Sequence, residues 1–332
     1  MLIIRDKSTD PYWNLAAEEY LLTAKDEPIF RLWRNERAVI VGRNQNTPAE
    51  INRDFVESNG IAVVRRMTGG GAVFHDLGNV NYTFIDLKGE DEYGRSMFRR
   101  FSQPIVDALA KLGVEARIEG RNDLTVDGMK ISGTAMCVHR GRLLHHGTLL
   151  FSAKMDDLTQ ALLPRPEKYA GRGVASVRSR VTNISQHLRE PMSVGQFLDF
   201  LYDFVGSTGT PYEYSAEDIA AIDVLARDKY RRDEWNYGAA ATAGAGRISA
   251  VRKFPAGLFE MYAVIKEGRI AQLEIKGDYF FRKPTEEFCK ALEGVDFTRE
   301  KVADCLACLP LDDYFCGLTV EEMLGLLFDA SE

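Results

Sequence analysis

The stretch that decides the fold is Arg65-Arg66-Met67-Thr68-Gly69-Gly70-Gly71-Ala72-Val73-Phe74-His75-Asp76. The apolar run from Ile61 to Val64 predicts a strand that ends in two arginines and opens into three glycines. Glycine tolerates positive φ and exposes its backbone N–H, so this loop can approach a phosphate or carboxylate, for which the arginines supply charge. A tight turn with solvated arginines would explain the same residues. The stretch matches neither G-x-G-x-x-G nor G-x-x-x-x-G-K-[ST], so neither a dinucleotide fold nor a Walker loop follows.

The composition is that of an ordinary globular protein. The chain has 332 residues, 45% of them hydrophobic and 27% charged, enough for one large and one small domain. The 49 acidic and 42 basic side chains give a net charge of -7, which disfavours a nucleic-acid partner. No apolar run approaches the roughly 20 residues that span a bilayer, so we expect no membrane partner. The start, Met1-Leu2-Ile3-Ile4-Arg5-Asp6, lacks a basic leader and a cleavage site, which predicts a cytoplasmic protein.

The cysteines are odd in number, five, and four of them cluster late in the chain, which favours reduced structural thiols over a disulfide framework. Cys305 and Cys308 have the spacing of half a zinc site, but no second pair and no nearby histidine completes it. We therefore expect these two thiols on a buried helix face.

Hydrophobic periodicity predicts an α+β fold with a mixed sheet. Helices are expected from Pro11 and from Thr47-Pro48, and a further helix with clear periodicity from Ser96 to Leu112. The predicted strands, besides the one before the glycine loop, are Ile29 to Trp33, Ala38 to Gly42, Asn79 to Ile85, Val114 to Ile118, Leu124 to Val126, Lys130 to Val138 and Leu143 to Phe151.

Small residues from Gly238 to Gly246 neither pack a core nor favour one backbone conformation, so they predict a domain junction. The expected division is a catalytic domain over residues 1–238, a linker over 239–246 and a C-terminal accessory domain over 247–332. In the last part, Phe259 to Lys266 and Ile270 to Lys276 predict a hairpin. Helical segments are predicted at Pro284 to Leu292, Arg299 to Leu306 and Val320 to Phe328.

A lysine lies in the middle of the strand predicted after Gly120-Arg121-Asn122-Asp123. Strict alternation puts Lys130, Ser132 and Thr134 on one face and Ile131, Gly133 and Ala135 on the other. The lysine could guard an edge strand. Alternatively it could hold a bound anion, with Asn122 or Asp123 helping to hold Mg²⁺ through oxygen ligands.

Two further segments carry polar side chains. The adjacent His145 and His146 point to opposite faces of a strand, so they cannot chelate one metal together; His146 is expected in the pocket and His145 outside it. The loop from Arg178 to Asn183 includes Ser179 and Thr182, and suits either a bound nucleotide or a solvated basic turn.

Together these segments resemble the lipoate–protein ligase A family. The paired arginines, the three glycines and the Val-Phe-His-Asp run resemble the pattern of that family over residues 65–76. The further motifs are Gly-Arg-Asn-Asp at Gly120, Lys-x-Ser-Gly-x-Ala at Lys130, His-His-Gly-Thr-Leu-Leu at His145, Ser-Arg-Val-Thr-Asn at Ser179 and Trp-Asn-Tyr-Gly at Trp235. The resemblance covers nearly the whole chain.

This resemblance implies the fold of the biotin and lipoate ligases, which is related to class II aminoacyl-tRNA synthetase cores. It also implies two steps: lipoate and ATP form lipoyl-AMP, and the lipoyl group then passes to a lysine. The implied ATP contacts are Arg66, Gly71, Ala72, Val73, Phe74, Lys130, Ser179, Thr182 and Asn183. The implied lipoate contacts are Arg65, Gly70, His75, Lys130, Gly133 and His146.

Lys130 is the implied catalytic residue, and Mg²⁺ the expected cofactor. The implied partners are lipoate and the apo lipoyl domains of 2-oxoacid dehydrogenase E2 subunits or the glycine cleavage H protein.

Three other functions remain to be weighed. An acyltransferase of the same fold would need a placed cysteine, and Cys137 is the only one in the expected catalytic domain. Alternation puts Cys137 on the face opposite Lys130 unless a bulge intervenes. A biotin ligase would have a differently composed loop. A protein that merely binds lipoate or nucleotide would tolerate the loss of Lys130 or Arg66.

Overall fold

The computed structural model describes residues 1–87, 95–120, 122–163, 181–238 and 247–329. Its strands are β1 (Leu2–Arg5), β2 (Ile29–Trp33), β3 (Ala38–Val41), β4 (Ala62–Arg65), β5 (Val73–His75), β6 (Asn79–Leu87), β7 (Arg117–Glu119), β8 (Asp123–Val126), β9 (Met129–His139), β10 (Arg142–Leu150), β11 (Thr210–Pro211), β12 (Arg247–Phe254), β13 (Gly257–Lys266) and β14 (Arg269–Gly277).

The helices are α1 (Pro11–Ala24), α2 (Thr47–Glu50), α3 (Arg53–Ser58), α4 (Arg95–Lys111), α5 (Met155–Ala161), α6 (Val194–Val205), α7 (Ala216–Leu225), α8 (Asp233–Asn236), α9 (Thr285–Leu292), α10 (Arg299–Leu306), α11 (Leu311–Tyr314) and α12 (Val320–Phe328). Within the described ranges, no helix combines the length and the apolar character that a membrane span requires.

A mixed sheet of eight strands organises the larger part of the described chain, in the order β11-β1-β2-β6-β10-β9-β8-β7. The strands β11, β1 and β2 run parallel, and the pairs from β2 to β7 are antiparallel. This arrangement confirms the predicted α+β class with a mixed sheet. The short strand β1 and the edge strand β11 were not predicted from the sequence.

Helices cover both faces of this sheet. On one face, Phe101 of α4 and Phe197 of α6 join the same core as Phe30 and Phe84 of the sheet. On the other face, Leu21 of α1 packs in a cluster with residues of β1, β2, β6 and β10. Because both faces are covered, β2 is buried along its whole length, and this includes its one charged residue, Arg31.

A second sheet, in the order β4-β3-β5, carries the glycine loop. The strand β3 runs parallel to β4 and antiparallel to β5. Val39, Val63 and Phe74 pack on one side of it, while Ile40 and Val64 pack with α1 on the other. This packing fixes both ends of the loop that joins β4 to β5.

Residues 247–329, here called the C-terminal unit, form an antiparallel sheet β12-β13-β14 with its own core around Phe259, Phe288 and Phe315. The hairpin β13–β14 and the helices α9, α10 and α12 agree with the predictions, whereas β12 was not predicted. The contacts of the C-terminal unit with the rest of the chain include a hydrogen bond in which Gly277 N donates to Asn44 O at 2.8 Å. The predicted linker over residues 239–246 lies outside the described residues, and the domain boundaries stay a prediction.

The strand predicted from Val114 to Ile118 begins only at Arg117. Gly113 has a φ of +80° and ends α4, so that Val114 N donates back to Leu109 O at 3.0 Å. This is a helix C-terminal cap. Because the backbone N–H of Val114 bonds to the helix, Val114 does not pair with a neighbouring strand.

Candidate active site

The glycine loop is held by two close backbone approaches. A Cβ on Gly42 would lie 2.0 Å from Gly70 O, and a Cβ on Gly69 would lie 2.4 Å from Tyr279 O of the C-terminal unit. Gly70 itself has a φ of +89°, which side chains rarely allow. The loop therefore needs glycine at position 69, where a side chain would collide with Tyr279 O, and at position 70, where φ is positive.

Arg66 clamps this loop from below. Its Nη2 donates to Gly69 O at 2.7 Å and Gly71 O at 2.9 Å, its Nη1 donates to Ile40 O at 3.1 Å, and its Nε donates to Thr68 Oγ1 at 2.9 Å. Burial lowers the pKa of the Arg66 guanidinium to about 10, which leaves it charged at neutral pH. Arg66 thus adds a buried positive charge beneath the loop and fixes the loop geometry.

Arg65 lies elsewhere, although the sequence predicted a lipoate contact. Its guanidinium donates to six acceptors outside the cavity described below, at Gly42 O, Arg43 O, Gln45 O, Thr47 Oγ1, Trp235 O and Asn236 O. It borders a separate groove of about 520 Å³ between the glycine-loop sheet and the C-terminal unit. The structure therefore does not bring Arg65 to the predicted lipoate site.

A cavity of about 120 Å³ lies under the glycine loop. Ten residues predicted to contact ligand or metal border it: Arg66, Gly70, Gly71, Ala72, Val73, His75, Asn122, Lys130, Gly133 and His146. The sequence did not identify its other lining residues, which are Leu15, Trp33, Ile40, Asn81, Thr134, Ala135, Gly147 and Thr148. Leu15, Trp33, Ile40 and Val73 give part of the cavity an apolar wall.

Lys130 reaches the cavity because of a β-bulge. In the pairing of β8 with β9, Leu124 is opposite Ser132 and Thr125 is opposite Lys130, so Ile131 has no partner. The alternation predicted for this strand is therefore wrong: Lys130 lies on the same side as Gly133, where a Cβ would be 2.9 Å from Lys130 Nζ. The absence of a side chain at Gly133 leaves room for the ammonium group.

An ion pair holds the Lys130 ammonium group at this position, with Nζ 2.7 Å from Asp123 Oδ1. The neighbouring Asn122 donates from Nδ2 to Thr134 O at 2.6 Å. In the described parts of the chain, no three His, Cys, Asp or Glu side chains cluster as metal ligands. Asp123 and Asn122 could thus supply at most part of a magnesium shell.

The segment after residue 180 supports Lys130 from the outside. Thr182 N donates to Lys130 O at 3.0 Å, and Thr182 Oγ1 donates to Gln186 Oε1 at 3.0 Å. The Asn183 side chain exchanges hydrogen bonds with the backbone N and O of Ala153 at 2.9 and 3.0 Å. Neither Thr182 nor Asn183 borders the cavity, and the predicted ATP contact Ser179 lies outside the described residues.

Phe74 also points away from the cavity, since its side chain packs with Val39 and Val41. Only a backbone contact to a nucleotide, as predicted, is compatible with this orientation.

A buried carboxylate, Glu18, lies behind His146 and outside the lining of the cavity, and it was not among the predicted site residues. Its two oxygens lie 3.0 Å from His146 Nδ1, and His146 Nε2 lies 2.8 Å from Thr68 Oγ1. Burial opposes ionisation of Glu18, but the facing His146 and Arg31 outweigh it and hold the pKa of this carboxyl below its ordinary value. A glutamate within the apolar face of α1 was the available sequence signal.

His145 is fully buried and not outside, as the sequence predicted. Its ring stacks on Phe101 at a centroid distance of 5.5 Å, because α4 covers this face of the sheet. Burial lowers the pKa of His145 to about 3, so it is a neutral core residue.

Cys137 is a poor nucleophile, for a reason other than the one predicted. Cys137 lies on the same side of β9 as Gly133 and Ala135, and the bulge brings Lys130 to that side as well, but Cys137 packs under α1 with Leu21 and Leu144. Burial raises the pKa of the Cys137 thiol to about 12. It does not border the cavity.

The cavity therefore combines a lysine, a clamped loop of backbone amides and an apolar wall. A lysine and backbone N–H groups stabilise an anion, and the apolar wall suits a hydrocarbon chain. The arrangement fits a ligand with a charged group at one end and an apolar tail at the other.

Comparisons with known proteins agree with this chemistry. Residues 10–205 match the lipoyl protein ligase A/B catalytic domain, and residues 247–327 match the bacterial lipoate protein ligase C-terminus. A lipoate–protein ligase of Bacillus subtilis is 37% identical, over 99% of this chain and 100% of the relative.

Two solved structures extend these matches. A lipoate–protein ligase A bound with ATP superposes with a TM-score of 0.62 and 28% identity, over 71% of this chain and 98% of that chain. The bi-partite lipoate protein ligase of Thermoplasma acidophilum, described with its E2 lipoyl domain, has a TM-score of 0.63 and 28% identity, over 73% of this chain and 97% of that chain.

Proposed function

The chain belongs to the lipoate–protein ligase family, and from this premise we propose that it is an ATP-dependent ligase that attaches lipoate to a lysine of a lipoyl domain. The observation that carries the proposal is the position of Lys130, whose ammonium group borders the same cavity as the clamped glycine loop. An ATP-bound relative with the same fold supports the use of ATP.

In the first step, a carboxylate oxygen of lipoate attacks the α-phosphorus of ATP and pyrophosphate leaves, which gives lipoyl-AMP. This step needs no protein nucleophile. It needs two anions held together, and Lys130 with the backbone amides from Gly71 to Phe74 offsets their repulsion. Arg66 acts from beneath, by holding the carbonyls of Gly69 and Gly71 so that the loop keeps its shape.

In the second step, the neutral ε-amine of an acceptor lysine attacks the carbonyl carbon of lipoyl-AMP. An amide bond forms, the bond to phosphate breaks, AMP leaves with the electron pair, and the amine loses a proton to solvent. Lys130 stabilises negative charge on the carbonyl oxygen and on the leaving phosphate.

Mg²⁺ would be held mainly by the phosphates of ATP, with Asp123 as the protein carboxylate and Asn122 beside it. One carboxylate together with phosphate oxygens is a common magnesium environment. The bound cation would supply charge neutralisation on the triphosphate. Asp123 would then divide its negative charge between the cation and Lys130.

The acceptor is a lipoyl-domain protein in this proposal. The Thermoplasma ligase, with its E2 lipoyl domain, supports this class of partner. Apo lipoyl domains of 2-oxoacid dehydrogenase E2 subunits and the glycine cleavage H protein are the acceptors to test.

We predict that modification of an apo lipoyl domain depends strictly on ATP and Mg²⁺ and releases pyrophosphate. The protein is incubated with lipoate and the acceptor, with and without ATP, and the acceptor mass is measured. Cys137→Ser should retain activity within about twofold, since this buried thiol lies outside the cavity. ATP-independent transfer from an octanoyl-acyl carrier protein that Cys137→Ser abolishes would instead establish a cysteine-dependent transferase.

We also predict that the C-terminal unit moves relative to the rest of the chain when the adenylate forms. The run of small residues in the sequence from Gly238 to Gly246 motivates this hinge. The contacts that would have to change include Gly277 N to Asn44 O, Gly70 N to Tyr279 O and the exposed pair of Arg43 with Glu286. Spin labels at the exposed positions Ser58 and Lys301 would report the distance by pulsed electron paramagnetic resonance. Identical distance distributions in the free protein and with a nonhydrolysable lipoyl-AMP analogue would contradict this movement.

A further inference from the structure

His75 leaves a buried hydrogen-bonding atom on the wall of the cavity. The residue is 3% exposed and borders the cavity, and its Nε2 has no hydrogen-bond partner among the residues that the structure describes. A buried polar atom without a partner destabilises the protein unless something else satisfies it. Both ring nitrogens of His145 are also without a partner among the described residues, but His145 lies in the core, whereas His75 borders the cavity. The position of His75 therefore points to a group on a bound molecule as the partner of Nε2.

A directed chain of hydrogen bonds settles which ring nitrogen carries the proton. Arg31 can only donate, and its Nη2 donates to Asn14 Oδ1 at 2.8 Å. Asn14 Nδ2 must then donate, and it does so to Asn35 Oδ1 at 2.9 Å. This leaves Asn35 Nδ2 as the donor to His75 Nδ1, at 3.1 Å.

Because Nδ1 accepts, the neutral ring carries its proton on Nε2. Burial and the nearby Arg66 lower the pKa of His75 to about 3, so the ring does not take a second proton at neutral pH. His75 is thus a neutral donor with its N–H group on the unpartnered side.

The position of His75 within the cavity indicates which part of a ligand it meets. Gly133 N donates to Thr148 Oγ1, Thr148 pairs with Asn81, and Asn81 pairs with Trp33. These three pairings cross the sheet from β9 over β10 and β6 to β2. Neighbouring strands are about 4.8 Å apart, so the backbone of Trp33 lies roughly 14 Å from that of Gly133, which is next to Lys130. The His75 ring lies 6.0 Å from the Trp33 ring, at the end of the cavity away from Lys130.

We propose that His75 Nε2 donates a hydrogen bond to a sulfur atom of the dithiolane ring of lipoate, and that Asn35 is the positioning residue that fixes this tautomer. The inference rests on the proposed function, in which the lipoate carboxylate lies beside Lys130. A neutral divalent sulfur is a weak acceptor, whereas the tail of a plain alkyl acid has no acceptor. Octanoate would leave the buried N–H unsatisfied, so His75 selects for lipoate over octanoate.

The first test compares kcat/KM for lipoate and octanoate in the parent and in His75→Phe. The ratio of lipoate to octanoate should fall about three- to tenfold in the variant, since lipoate loses one hydrogen bond and octanoate no longer leaves an N–H unsatisfied. His145→Phe is the matched control, because this buried histidine lies on the face of the eight-stranded sheet that α4 covers, away from the cavity. The ratio of the two kcat/KM values in this variant should equal that of the parent.

Equal slowing of both acids in His75→Phe would overturn the selectivity role and leave a purely structural histidine. A parent protein that ligates neither acid would overturn the proposed function instead. The two failures are therefore distinguishable.

The second test reads the tautomer directly and does not depend on activity. In 15N-histidine-labelled protein, His75 should show a proton on Nε2 and a bare Nδ1, and its Nε2–H signal should shift with lipoate but not with octanoate. Asn35→Asp replaces the donor by an acceptor, so a proton should appear on Nδ1. A proton on Nδ1 in the parent, or the same shift with both acids, would overturn the assignment.

Discussion

Lys130→Met is expected to fold normally and to lose 10²- to 10³-fold in kcat, which corresponds to about 3–4 kcal/mol of transition-state stabilisation. Methionine keeps much of the apolar volume of the lysine stem but deletes the charge that faces both anions in the first step. The loss should appear in each half-reaction, because the same ammonium group stabilises charge in adenylation and in transfer. Single-turnover formation of lipoyl-AMP and its transfer to an apo lipoyl domain measure the two steps separately.

The control for this variant is Lys266→Met, which removes an exposed lysine at the end of β13, outside the cavity. Its rates should match those of the parent. If Lys130 only guarded an edge strand, Lys130→Met would turn over nearly normally and aggregate more readily. A soluble Lys130→Met protein with both rates within a few-fold of the parent would remove this residue from the mechanism.

The sequence predicted the parts of the site that depend on local chemistry. Three glycines between two apolar runs identified the loop, and strand alternation predicted His146 at the cavity it borders. Gly133 was predicted there from the family resemblance alone. The helices α10 and α12 begin and end where periodicity placed them. In these two helices the determining contacts lie within a few residues along the chain.

The orientation of Lys130 could not be predicted, because it depends on a bulge. One extra residue, Ile131, changes which side chains share a face, and periodicity alone does not reveal such an insertion. The same bulge overturns the argument from alternation about Cys137. Its exclusion from the cavity depends instead on packing against α1.

The roles of the two adjacent arginines depend on partners far along the chain. Arg65 is held by the backbone of Trp235 and Asn236, which are 170 residues or more away. No residue near position 65 in the sequence indicates this contact, so the sequence does not distinguish the structural role of Arg65 from that of Arg66. Glu18 was missed for a similar reason, since its partner His146 lies 128 residues away.

Arg66→Lys is expected to lose about 10²-fold in the rate of adenylation although it keeps the positive charge. A lysine has three rotatable donors on one atom, whereas the Arg66 guanidinium donates in fixed directions to Thr68 Oγ1 and to the carbonyls of Ile40, Gly69 and Gly71. Loss of this geometry displaces the backbone amides that face the phosphates. A displacement of about 1 Å can lower the reaction rate by about 10²-fold. Pre-steady-state pyrophosphate release measures the rate.

Arg65→Lys is the matched comparison, because Arg65 is equally buried and its hydrogen bonds lie outside the cavity. Both variants should unfold at lower urea concentrations, since each leaves carbonyl groups without donors, at about 1–3 kcal/mol per buried group. Only Arg66→Lys should also lose adenylation, while Arg65→Lys stays within a few-fold of the parent. If Arg66 acted on ATP through its charge alone, Arg66→Lys would keep most of its adenylation rate, and the clamp would then have no part in catalysis.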